Sequence, residues 1–166
     1  MLEGGYQTWR RHVVAQLYDA DLGLDVVRLD GLTGTGKTDV LKAARDLGVQ
    51  VLDLEGLARH RGSILGDIDG PQPAQKGFES ALLTELAGFD PARPVLIEAE
   101  SARIGDVRVP PALWGAMKQS PRLVLEATPQ ARARYLAAQY AALPANARAL
   151  TQRLDGLRPV AGPAKV

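Results

Sequence analysis

Apolar side chains recur along this chain at two spacings. Tyr6, Trp9, Val13, Val14, Leu17 and Tyr18 fall on one face at helical spacing, so residues 6–18 are predicted to form an amphipathic helix. Residues 24–29 (LDVVRL) read as a short strand, 31–36 as a glycine-rich turn and 38–47 as a helix. Three further apolar runs have strand length: 49–54, 95–97 behind Pro94, and 123–125. Residues 76–89, 111–118 and 129–142 carry good helix formers. Pro111 and Pro129 sit where a first helical turn tolerates proline, because the missing N–H would have had no partner there. Strands alternating with helices imply an α/β fold, a central parallel sheet covered by helices on both faces. Residues 55–75 follow neither period and are expected to form a long loop, of a length that is usually functional or mobile.

Composition narrows the chemistry. The 166 residues are 46% hydrophobic and 23% charged, enough apolar mass for one domain with a core. Cysteine is absent, so these residues alone form no disulfide, thiolate zinc site, iron–sulfur cluster or cysteine nucleophile. With 20 basic and 19 acidic side chains the net charge is +1, and nothing global draws the chain to nucleic acid. The sequence has no apolar run of about 18 residues and no basic start leading into an apolar segment, so a cytoplasmic location is expected.

The strongest motif is GLTGTGKT, from Gly31 through Thr33, Gly34, Thr35, Gly36 and Lys37 to Thr38. It matches G-x-x-x-x-G-K-[ST] between a predicted strand and a predicted helix, the context that this phosphate-binding loop requires. Its glycines allow successive amides to converge on one anion. The following helix adds the positive end of its dipole, Lys37 adds a full charge, and the Thr38 hydroxyl is placed for a magnesium ion bridging two phosphates. Two strand ends offer an acid for that ion: Glu98 in VLIEAE is preferred, and Asp53 in VLDLE is second. Either carboxylate could instead face water or cap a helix. Arg59, His60, Arg61, Lys76, Arg103 and Arg108 cluster near these strand ends, a face that could grip a diphosphate or a tRNA backbone. A solvated surface charge is the plain alternative for each arginine.

Four stretches together resemble the phosphate-loop domain of tRNA 2-selenouridine synthases: GLTGTGKT, LDLEGLARHRGSILG from Leu52, QPAQKGFES from Gln72 and IEAESARIGDVRVP from Ile97. RLDGL, from Arg153, resembles a later segment of that family. The resemblance implies a P-loop NTPase-like three-layer fold over residues 23–160, cut short at its C-terminal end. Residues 1–22 then read as the closing part of a rhodanese domain with a connecting helix; the body of that domain, which carries the family's reactive cysteine, is missing. By the same resemblance the whole enzyme geranylates the wobble 2-thiouridine of certain tRNAs with geranyl diphosphate, and then exchanges sulfur for selenium from selenophosphate. Carried over by position, Gly34, Gly36, Lys37 and Thr38 would hold the diphosphate, Arg61 and Arg103 would act as outer clamps, and Glu98 would serve metal or positioning. Glu55, Ser63, Gln75, Lys76 and Ser101 are secondary candidates. The expected partners are tRNA, a diphosphate-bearing small molecule and a separate rhodanese domain, with selenation incomplete in this chain alone.

Two readings compete. A small-molecule kinase would bind ATP in the same loop, with Arg132 or Arg134 closing over the phosphates. A non-catalytic remnant would keep the phosphate site to bind tRNA or a rhodanese partner, and the absent cysteine favours it. A GTPase is disfavoured because no N-K-x-D segment follows.

Overall fold

The computed structural model describes residues 5–60, 71–98 and 101–141. Helix α1 (Gly5–Val14) runs into a π-helical turn, Ala15–Asp19. Next come β1 (Val26–Gly31), α2 (Lys37–Asp46), β2 (Gln50–Leu52), the short helix α3 (Leu54–Ala58) and α4 (Gln75–Leu86). The remaining elements are β3 (Val95–Glu98), a hairpin of β4 (Arg103–Ile104) and β5 (Val107–Arg108), α5 (Pro111–Gln119), β6 (Arg122–Leu125) and α6 (Pro129–Ala141).

Strands β2, β3, β1 and β6 form a parallel sheet in that order, so β3 lies directly beside β1. The side chains of β3 alternate between its two faces. Val95 and Ile97 join a large core with α1, α4 and α5, whereas Leu96 packs with Leu29, Leu41 and Val51 under α2. Helices thus cover both faces, as expected of a P-loop NTPase-like α/β fold. No helix among the described residues is long and apolar enough to cross a membrane.

Two expectations shift. Strand β1 begins two residues later than its apolar run and extends to Gly31, because Asp30 and Gly31 pair with Val124 and Leu125 of β6. Leu22 and Leu24 instead pack, half-buried, against the large core. The expected loop over 55–75 starts as helix: the Asp53 carboxylate accepts the Gly56 amide at 2.8 Å and caps α3. The β4–β5 hairpin was not legible in the sequence, since its two-residue strands are too short for any period. It is held from outside. Gln72 donates to the Ala58 and Ile104 carbonyls and accepts the Asp106 amide, while Gln75 exchanges two hydrogen bonds with the backbone of Arg108.

Candidate phosphate-binding site

The turn joining β1 to α2 lies at the carboxyl end of the sheet. Gly34 and Gly36 take φ of 84° and 82°, a left-handed region that costs other L-residues roughly 1–2 kcal/mol. Gly31 is needed for a second reason: a Cβ there would lie 2.8 Å from the Leu125 carbonyl oxygen and 2.9 Å from Thr35 Oγ1. The Thr35 amide donates to the Leu32 carbonyl at 3.1 Å, which closes the turn. Asp30 secures its entry, accepting the Gly31 amide at 2.7 Å and pairing with Arg122 of β6 at 3.0 Å. Lys37 and Thr38 open α2, and both are half-buried.

Lys37 turns back over the loop. Its ammonium donates to the Gly31 carbonyl at 2.9 Å and lies 3.5 Å from Glu98 Oε1. Glu98 ends β3 and is buried, with 7% of its surface exposed. Burial raises its pKa above the ordinary 4.5 and Glu55 adds to the rise; Lys37 draws it back, and Asp53 raises it further. Glu55 and Asp53 therefore contribute to the same field, although Asp53 also caps α3. Thr38, Glu98 and the nearby carboxylates offer oxygen alone, the donor type that magnesium prefers.

Helix α6 leans on the loop from the other side. Arg132 Nε donates to the Thr33 carbonyl at 2.8 Å, and the Tyr135 hydroxyl donates to Asp39 of α2 at 2.8 Å. A Cβ on Gly34 would come within 2.9 Å of Leu136. Sequence reasoning considered Arg132 only for a kinase; it missed Tyr135 and Asp39, whose 96-residue separation leaves no local signal.

The structure thus brings Gly31, Thr33, Gly34, Thr35, Gly36, Lys37 and Thr38 into one turn, with Glu98 beside Lys37. It does not bring Arg103 onto that turn. The exposed Arg103 side chain bonds to the Gly105 carbonyl at 2.7 Å and lies 3.6 Å from Asp106 within its own hairpin. Ser101 likewise bonds to the Arg103 backbone. Gln75 is committed to Glu79 and the hairpin, and Lys76 is exposed on α4. Arg61, Ser63 and the RLDGL segment lie outside the described residues.

Against this geometry, residues 24–158 match the family described as the tRNA 2-selenouridine synthase AAA domain. The chain belongs to that family. A tRNA 2-selenouridine synthase of Shewanella piezotolerans is 38% identical over 141 residues, which are 84% of this chain and 38% of the relative. One of Cupriavidus pinatubonensis is 36% identical over 164 residues, 96% of this chain and 42% of the relative. One of Pseudomonas syringae pv. syringae is 39% identical over 128 residues, 74% of this chain and 33% of the relative. The chain therefore spans well under half the length of these synthases.

Proposed function

We propose that this domain holds the diphosphate of a phosphorylated donor, geranyl diphosphate, for a tRNA 2-selenouridine synthase. The observation that carries this reading is the Lys37 ammonium, set between the Gly31 carbonyl and Glu98 at the head of α2. An entering diphosphate would take Lys37 from the Gly31 carbonyl and receive the amides of residues 34–38. As the 2-thiouridine sulfur bonds to the donor carbon and the bond from that carbon to the diphosphate oxygen breaks, negative charge grows on the departing oxygens. Preset amides and the ammonium then offset that charge without reorganising.

Magnesium fits the site. The Thr38 hydroxyl and Glu98 would hold it, and when bound it supplies Lewis-acid neutralisation of the phosphate oxygens. No group of three or more His, Cys, Asp or Glu placed to hold a metal occurs among the described residues, so phosphate oxygens and water would fill the remaining positions. The exposed Arg59, Lys76, Arg103 and Arg108 would meet the tRNA backbone, and a separate rhodanese domain would supply the thiol that this sequence lacks.

Calorimetric titration of geranyl diphosphate, inorganic pyrophosphate and ATP into the chain and its Lys37→Ala variant tests the reading. Loss of the charge-assisted bond should weaken binding of the two diphosphates by about 1.5–3 kcal/mol, roughly 10- to 150-fold. Absence of binding to the unaltered chain, or equal binding by the variant, overturns the reading. ATP binding with transfer to a small acceptor and no response to geranyl diphosphate would make the domain a kinase.

A further inference from the structure

Helix α6 is joined to the phosphate loop at three places. Arg132 donates to the Thr33 carbonyl, Leu136 lies where a side chain on Gly34 would stand, and Tyr135 is bonded to Asp39 in the first turn of α2. The helix is itself anchored just before the contact, since the Thr128 hydroxyl accepts the Ala131 amide at 3.2 Å and the Thr128 carbonyl accepts the Arg132 amide at 3.0 Å. This is an interlocked contact between an element late in the chain and the turn that opens α2.

The choice of the Thr33 carbonyl has a consequence for the next amide. The Thr33–Gly34 peptide is trans, so its C=O and the N–H of Gly34 lie in one plane and point in opposite directions. A guanidinium that binds the carbonyl on the α6 side therefore directs the Gly34 N–H to the opposite side of the loop. Without that hold the peptide is free to rotate, because Gly34 tolerates backbone conformations that other residues do not. A phosphate-binding turn needs its amides aimed before the anion arrives; otherwise part of the binding energy is spent on aiming them.

We infer that Arg132 is a positioning residue, which presets the Thr33–Gly34 peptide through its bond to the Thr33 carbonyl so that the Gly34 amide faces the anion. The inference rests on the diphosphate reading of this site. It assigns Arg132 a role through backbone orientation, not through its own charge on the phosphate.

The two roles are separable with the full chain and inorganic pyrophosphate as the probe. Arg132→Ala should weaken binding about 10-fold. Arg132→Gln, which keeps an N–H donor without charge, should recover most of the loss. The Gly34 amide resonance of the ligand-free protein should shift in Arg132→Ala and return towards its original position in Arg132→Gln. Unchanged affinity in Arg132→Ala overturns the inference. So does an Arg132→Gln variant as weak as Arg132→Ala beside an Arg132→Lys variant that binds normally, because charge alone would then suffice. If Arg132→Ala does not fold, the Gln and Lys variants carry the same comparison. Failure of the unaltered chain to bind pyrophosphate, or binding indifferent to Lys37→Ala, overturns the diphosphate reading as well. Lys37-dependent binding that ignores Arg132 overturns the inference alone.

Discussion

Glu98 is held at the end of β3 under opposing influences. Burial, Glu55 and Asp53 favour its neutral form, while Lys37 favours the charged one, and the balance leaves its pKa above 4.5. A carboxyl with a raised folded-state pKa contributes stability that is complete below the unfolded value and is lost as pH rises through the folded value. Above the folded value the charged Glu98 therefore costs stability. Glu98→Gln should flatten the pH dependence of the melting temperature, removing the fall in stability as pH rises, as read by thermal melts from acid to alkaline pH. An unchanged pH dependence would contradict this balance. Lys37 and Thr38 stand out in the sequence because they belong to a contiguous motif. Strand-end position preferred Glu98 to Asp53 without showing what either carboxylate meets. In the fold β3 pairs with β1 and sets Glu98 beside Lys37, whereas Asp53 caps α3, and both outcomes depend on where the chain turns.

Helix α1 is fixed to α4 through a carboxylate with no exposed surface. Glu79 receives Arg10, the Tyr18 hydroxyl at 2.5 Å and the Gln75 amide at 2.9 Å, while the Trp9 indole N–H donates to Ser80 at 3.3 Å. Burial alone would raise the pKa of Glu79, but the bonds from Tyr18, Gln75 and Arg10 together hold it below 4.5. Here the sign reverses. Its contribution to stability is complete above the unfolded value and is lost as pH falls through the folded one. Glu79→Gln leaves the partly buried Arg10 without its counter-charge and should cost about 3 kcal/mol. In a Trp114→Phe background, Trp9 emission should shift red in acid as α1 separates from α4. The Glu79→Gln variant should show that shift already at neutral pH. An emission spectrum indifferent to both would argue against this attachment. The helical period of α1 was legible because its apolar face recurs every three or four residues. The partner of Arg10 was not, since Glu79 lies 69 positions away.

Across the whole molecule, the order β2-β3-β1-β6 brings the ends of β1 and β3 together. The phosphate loop and Glu98 consequently meet although they are far apart in sequence, and α6 returns from β6 to close the loop's outer side. The loop beside Glu98 is the proposed anion site, and the sequence has no cysteine. On the proposed function, the chain by itself should produce no selenated tRNA from selenophosphate, and a rhodanese protein added in trans should restore product, as measured by nucleoside mass spectrometry. Selenation by the chain alone would contradict that reading.

By itself the sequence determined the alternating elements, the parallel α/β class, the phosphate loop and the family. Each of these is written in local periodicity or in contiguous motifs, where neighbouring residues share one backbone geometry. Tertiary structure alone decided that Lys37 faces Glu98, that Asp53 caps α3, that Arg103 turns onto its own hairpin and that Arg132 holds the Thr33 carbonyl. Those outcomes depend on which distant surfaces burial brings together, and the polar partners met there leave no periodic trace along the chain.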